Sequence, residues 1–339
     1  MPGCFKLKTA FVTGASGFVG TNLVRMLLER GWSVRALVRG AAPTLAGLDV
    51  ALVRGDLFAP QLADAMAGAD ALFHVAATYS LWRRDRDAVL RANVEGTRTV
   101  LEAARRARIP RVVHTSSVAA IGVRHDGVPA DEEHQSALAE LIGTYKRSKY
   151  LAERAARLAF ERGQDVVIVN PTTPVGPWDA RPTPTGEIVV RFLSGRMPAY
   201  VDTGLNLVDV RDVAAAHIAA YERGRPGERY IAGAENLTLR EILERLAEIT
   251  GLPAPRLRLP RVVPLAYAAV GEFVLGPAGI RTDVPFDGVR MAKERMFYSN
   301  AKAVRELGLR FGSVTTALAD AVRWYGEHTM SRGMNGARS

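Results

Sequence analysis

Glycines at 14, 17 and 20 follow at once on the apolar run 9–13, and a segment with helical apolar spacing, 18–30, begins among them. A strand that runs into such a triplet and then into a helix has few uses. The first glycine permits a tight turn, the second lets backbone approach a pyrophosphate, and the third lets the helix pack closely on the strand. The helix's first N–H groups then face the anion. Gly14, Ala15, Ser16, Gly17, Phe18, Val19 and Gly20 are therefore read as a dinucleotide cradle, because strand, loop and helix stand in the order the motif requires.

The alternation continues. Strands are expected at 33–38, 51–54, 71–75, 111–115 and 166–169, separated by helices near 60–67, 87–108 and 141–162. Repeated strand and helix predicts an α/β fold, a doubly wound parallel sheet of the Rossmann kind covered on both faces. After Asn170 the character changes, with six prolines between 171 and 198. A strand at 207–210 with its helix at 210–223 returns to the sheet, and Thr238 is placed to cap a helix at 239–250. The expected domains are 1–170 plus about 207–234 for the dinucleotide, 171–206 plus 235–328 for substrate, and a disordered tail at 329–339.

The end of the second strand identifies the coenzyme. An NAD site usually offers an acid to the ribose hydroxyls there, whereas this chain has Arg39, whose guanidinium suits a 2′-phosphate; NADP(H) is expected over NAD(H). Asp56 stands where a third strand ends and is read either as an acceptor for the adenine amino group or as a helix cap. Leu57, Val75, Ala76, Ala77, Thr115, Pro171 and Thr172 lie at the carboxyl ends of later strands, where open α/β sheets bind ligands, and complete the expected coenzyme contacts.

Tyr145 and Lys149 are four residues apart at the start of a predicted helix, one turn from each other on one face. A phenol with an ordinary pKa of about 10 becomes an acid or base near neutrality if an adjacent ammonium favours its ionised form, and Lys149 is placed to do that. Ser116 and Ser117 follow the strand at 111–115 and offer a hydroxyl to orient a substrate oxygen. Asn93, inside the long helix, needs a partner for its amide and is expected to hold a water leading to Lys149.

Composition narrows the classes. The 339 residues carry 45 basic and 35 acidic side chains, a formal charge of +10, yet only six of the basic ones are lysines and the arginines are spread along the chain. The densest run, Arg105, Arg106, Arg108 and Arg111, is expected as a solvated helix end, so no nucleic-acid partner is expected. Cys4 is the single cysteine, and the six histidines lack ligand-like spacing with it, so neither a disulfide nor a metal is expected. The segment 262–275, broken by Pro264 and Glu272, is too short to span a bilayer and is expected as a core helix or a lid over an apolar ligand. A cytoplasmic location is expected, because residues 1–8 lack the apolar stretch of a signal peptide.

The stretches TGASGFVG, NVEGT at 93–97, HTSSVAAIG at 114–122, YKRSK at 145–149, NPTTPVGP at 170–177 and VDVRDVA at 208–214 together resemble an extended short-chain dehydrogenase/reductase, over nearly the whole chain. Within that superfamily the chain is similar to the dihydroflavonol-4-reductase-like and hydroxysteroid dehydrogenase branch, and particularly to the hopanoid-associated sugar epimerases. The resemblance implies Tyr145 as catalytic acid/base, Lys149 as its partner and Ser117, five residues before Gly122, as the substrate-orienting hydroxyl. Nucleotide-sugar epimerases usually carry Asn where this chain has Thr173 and Arg where it has Leu205, and sugar dehydratases place Asp-Glu where it has Val118-Ala119. What remains is an apolar pocket, with Tyr79, Trp82, Val118 and Trp178 expected to meet substrate. The expectation is an NADP(H)-dependent reductase of a bulky, partly apolar carbonyl, lipid-like or hopanoid-related. The alternatives are a sugar epimerase and a non-catalytic dinucleotide-binding module. A homodimer through the helices near 87–108 and 141–162, with contact at a membrane surface through 262–275, completes the expectation.

Overall fold

The computed structural model describes residues 7–275 and 284–335, so Cys4 lies outside the described residues. Six strands come first: β1 (Thr9–Thr13), β2 (Ser33–Val38), β3 (Ala51–Arg54), β4 (Ala71–His74), β5 (Val112–Thr115) and β6 (Val166–Pro171). Between them lie α1 (Phe18–Glu29), α2 (Leu62–Met66), α3 (Arg86–Leu90), α4 (Gly96–Arg106) and α5 (Gly143–Glu161). The chain then leaves the sheet through β7 (Thr173–Val175), α6 (Pro184–Leu193), β8 (Ala199–Tyr200) and β9 (Gly204–Asp209), and returns by α7 (Val210–Arg223) and β10 (Arg229–Ala232). The main sheet has the order β10-β6-β5-β4-β1-β2-β3 with every neighbour parallel. Strand order reverses at β1, whose neighbours are β2 and β4, and such a switch point opens a crevice beyond the carboxyl ends of the strands.

Strands buried on both faces read as continuous apolar runs, and every residue of β4, β5 and β6 is buried. On one face, Leu23, Leu27, Val213, Ala216 and Tyr230 join α1 and α7 to the sheet; on the other, Leu62, Leu101, Ala104 and Ala156 do so for α2, α4 and α5. Full burial of one such Leu contributes about 1.5–3 kcal/mol.

A second lobe follows, with β11 (Glu235–Thr238), α8 (Leu239–Thr250), β12 (Leu257–Arg258), α9 (Val262–Val270), α10 (Phe286–Met291), β13 (Arg295–Met296), α11 (Ala301–Leu307) and α12 (Val314–Asn335). Strand β9 pairs with β7, β11 and β13, and α6, α8 and α12 close an apolar core over it through Phe192, Leu243 and Leu318. The Thr238 cap is present as a reciprocal capping box with Glu241.

Four local expectations change. The helix expected over 87–108 is interrupted by a π turn at Arg91–Glu95, for reasons given with the site. Arg111 is no solvated cation: it bonds Asp165 and the Tyr221 carbonyl, pinning the start of β5 to α7's end of the sheet. Helix α12 runs to Asn335, past the 329 boundary at which a disordered tail was expected, because a packed helix adds one hydrogen bond for each further residue; 336–339 lie outside the described residues. The segment 262–275 is not the core helix among the readings expected for it, since half of its residues are exposed and only Ala268 and Gly271 are buried.

Candidate active site

The glycine loop leaves β1 where the strand order reverses. Gly14 has φ +69°, and a Cβ there would lie 2.6 Å from the Ala76 backbone; at Gly20 it would lie 2.1 Å from the Gly14 carbonyl oxygen. Both positions are closed to any side chain. Gly17 caps α1 without a side-chain bond, and the first turn carries no acid, so the positive end of the helix is left to an outside anion. Ala15 is buried under the loop, while Ser16, Phe18 and Val19 are at least partly exposed on it. This cradle fits the diphosphate of a dinucleotide.

The other expected coenzyme residues stand at or just past the ends of the other sheet strands. Arg39 is exposed just past β2. Asp56 is exposed too, and its carboxylate accepts from the Phe58 N–H, which makes it a local turn rather than a helix cap. Leu57 packs against Gly96, where a Cβ would meet its side chain at 2.8 Å. Val75, Ala76 and Ala77 leave β4 beside the loop, with the Val75 and Ala76 N–H groups bonded to Thr13. Pro171 closes β6, and Thr172 is bonded by N–H and hydroxyl to the Ala232 carbonyl.

Helix α5 carries the proton-handling groups. Tyr145, Lys149 and Glu153 recur every fourth residue and so share one stripe. Lys149, 3% exposed, donates from Nζ to the Thr115 carbonyl at 2.8 Å. Glu153 is buried and accepts from Ser116 Oγ at 2.6 Å, Asn170 Nδ2 at 2.7 Å and Arg229 Nη1 at 2.8 Å. Arg229, also buried, donates in addition to the carbonyls of Glu132 and His134. The two serines are thereby told apart: Ser116 is spent on the interior, while Ser117 is half-buried, with its hydroxyl accepting the Ala119 N–H and close enough to the Tyr145 phenol to act on it. The Tyr79 ring lies 4.4 Å from that of Tyr145, centroid to centroid, and Tyr79 is 43% exposed, so the phenol of Tyr145 sits under an aromatic side chain that reaches solvent.

Burial pushes the Tyr145 phenol up to about 12, against a smaller opposing effect of the Ser117 hydrogen bond. The expected lowering by Lys149 is not what sets the phenol; desolvation of the phenolate is the dominant effect. Burial also brings Lys149 down to about 8, with Glu153 pulling the other way. Near neutrality the pair is a neutral phenol beside an ammonium that gives up its proton easily.

Asn93 departs from its expected part. Its amide donates to the Thr78 carbonyl and Ser148 Oγ and accepts the Thr78 N–H, so the carboxamide pins the 76–79 segment to α5 instead of facing Lys149. The π turn is what aims it there, and Gly96 beyond it lets Leu57 approach. Val118, 8% exposed, packs with Ile121, Ala130 and Tyr298 and is a core residue, not an open substrate contact. Trp178 sits under the Arg25 guanidinium, 3.7 Å from its ring, and so lies on α1 rather than against Tyr145. Trp82 is half-buried, with its N–H bonded to Ser80 and Arg84 over its ring.

Some neighbours had no clear sequence signal. Three buried histidines lie behind Lys149: His74 bonds Thr13 and Thr97, His217 bonds Thr115 and the Val213 carbonyl, and His114 packs 5.3 Å from His74. Burial lowers His74 to about 3 and His217 to about 4. Glu153 was legible in principle as the next step of the 145/149 spacing. Arg229, from a distant strand, was not.

Residues 10–233 match the NAD dependent epimerase/dehydratase family. A putative dihydroflavonol 4-reductase of Synechocystis is 55% identical over 334 residues, 97% of this chain and 96% of that one. Sterol demethylase protein B of Methylococcus capsulatus is 39% identical over 328 residues, covering 95% of this chain and 99% of its own. Among solved structures, that of gox2253 superposes with a TM-score of 0.84 at 44% identity, over 95% of this chain and 98% of the other. With the cradle, the switch-point crevice and the tyrosine–lysine stripe already in place, these likenesses agree with one class of nicotinamide-dinucleotide enzyme. The chain belongs to the NAD dependent epimerase/dehydratase family, the extended short-chain dehydrogenases/reductases.

Proposed function

We propose that the protein is an NADP(H)-dependent reductase, reversible as a dehydrogenase, acting on a carbonyl or secondary alcohol of a bulky, largely apolar molecule, with hopanoid-related lipids the foremost candidates. The observation that carries this reading is Tyr145: a neutral phenol, beside the Ser117 hydroxyl and under the Tyr79 ring, on the helix whose next turn bears Lys149. When bound, the coenzyme supplies or accepts the hydride. The protein's own residues do the rest. Tyr145 delivers a proton to the oxygen of the forming alcohol, Ser117 holds that oxygen, and Lys149 returns a proton to the phenol.

Arg39 supports the preference for NADP(H), since an exposed guanidinium past β2 suits a 2′-phosphate. The sterol demethylase relative supports an apolar, polycyclic substrate. Thr173 and Leu205, in place of the Asn and Arg of nucleotide-sugar epimerases, weigh against a sugar nucleotide. The family description favours a second reading, a sugar epimerase that keeps its nucleotide through an oxidation and a return reduction. Incubation with NADPH and a panel of steroid and triterpenoid ketones decides between them. Loss of nicotinamide absorbance matched by alcohol formation is expected. Tightly retained nucleotide with no net loss, and interconversion of a nucleotide sugar, would replace this reading with the epimerase.

A further inference from the structure

The helix α9 and the π turn that extends it to Leu275 present an unusual surface. Val262, Val263, Tyr267, Val270, Phe273 and Val274 are all exposed, Val262 at 67% and Val274 at 64%, and their spacing lines them along one side of the rod. The opposite side is anchored, with Ala268 and Gly271 buried. A helix apolar on every side normally lies within a fold, and this one leaves one side open to the exterior. Contiguous exposed apolar surface of this kind marks a contact with something else.

Three relationships identify what that is. Basic residues stand at both ends of the stripe: Arg256, Arg258 and Arg261 are exposed before its first turn, and the Arg83 guanidinium lies over the Phe273 ring at 5.2 Å. Two carboxylates offset part of this charge, Asp202 by pairing with Arg258, and Glu272, which accepts the N–H groups of Arg83 and Phe286, so the four arginines outnumber them by two. The field over the stripe is therefore positive, and it complements an anionic surface. Finally, the Arg83 N–H bond to Glu272 ties the helix to the 80–83 segment, which follows directly on Tyr79 over Tyr145, while Phe273 and Glu272 also hold Phe286 of α10. The helix is thus joined to the stretch of chain that places Tyr79 over Tyr145.

We infer that α9 and its π extension dock the protein on anionic phospholipid bilayers, apolar side chains entering the headgroup boundary and the arginines meeting lipid phosphates, so that apolar substrate passes from the bilayer to Tyr145 without crossing water. An apolar helical face buried a few ångströms deep, reinforced by cations, is the recognised physics of such attachment. The inference rests on the apolar-substrate reading for its purpose only; the docking itself is a property of the surface.

The test uses the full chain without coenzyme or substrate, so its failure is distinct from failure of the reductase assay. Co-sedimentation is measured with vesicles of phosphatidylcholine containing about a third phosphatidylglycerol, against phosphatidylcholine alone. Binding to the anionic vesicles, weakened by salt and reduced at least about tenfold in Val263→Asp/Val270→Asp, is expected, with coenzyme affinity unaltered. A second variant, Tyr267→Trp, is expected to show fluorescence quenched by brominated lipid only with anionic vesicles. Absence of sedimentation with either vesicle, equal sedimentation of the Val263→Asp/Val270→Asp variant, or light scattering that finds a dimer dissolved by the same substitutions without vesicle binding would overturn it.

Discussion

Lys149 Nζ donates to the Thr115 carbonyl at 2.8 Å, tying the middle of α5 to the last residue of β5. The ammonium is held in place by backbone, and burial lowers it to about 8 while Glu153, one turn on, opposes that shift.

The rate of carbonyl reduction should therefore fall as pH rises through about 8, because the deprotonated amine has no proton to pass to the phenol. Glu153→Gln removes the opposing charge, so the falling limb is expected at lower pH. A kcat/KM profile for both proteins checks this; an unmoved limb would mean that Glu153 acts on structure alone.

Tyr145→Phe keeps the ring against Tyr79 and removes the only acidic atom on it. Turnover is expected to drop by about 10² to 10⁴, the usual worth of a general acid. Coenzyme affinity by calorimetry should change little. Substantial residual turnover would move the proton donor to another residue.

The buried histidines give the fold an acid limit. His74 and His217 have folded values of about 3 and 4 against an ordinary 6.5, so between these values the unfolded chain binds protons that the folded one refuses. Stability should thus be full above about pH 6.5 and decline as pH falls, by about 1.4 kcal/mol per pH unit for each histidine. Urea unfolding from pH 7 to pH 4.5 measures the slope. His217→Gln should flatten it by one proton's share.

Arg39→Asp places a carboxylate where a 2′-phosphate is expected and frees the ribose hydroxyls to bond it. The ratio of NADP(H) to NAD(H) efficiency should fall at least about tenfold. An unchanged ratio, measured by kcat/KM for both coenzymes, would locate coenzyme selection elsewhere.

Most of the sheet was legible because periodicity and local punctuation determine it. The cradle, the strands after it and the Thr238 cap follow from short-range rules, and Tyr145 and Lys149 from a single helical turn. Residues whose duty depends on a distant partner were not legible. Asn93 was expected to face Lys149, yet a π turn, which no simple period announces, sends its amide to Thr78 and Ser148. Trp178 and Val118 read equally well as pocket or packing until the fold set Arg25 over one and Tyr298 against the other. The 262–275 segment was apolar enough for an interior, and only the tertiary structure reveals that its stripe is turned out.

Tyr145, Lys149 and Glu153 all ride on one rod, α5, whereas Tyr79 and Trp82 lie on the connection between β4 and α3 and the outward-facing helix lies in the second lobe. On the proposed function, proton handling and the choice of molecule thus fall to different stretches of the chain. Grafting the 78–85 and 252–293 loops of a sister enzyme onto this scaffold is a route to new selectivity in which the hydrogen-transfer apparatus travels unchanged.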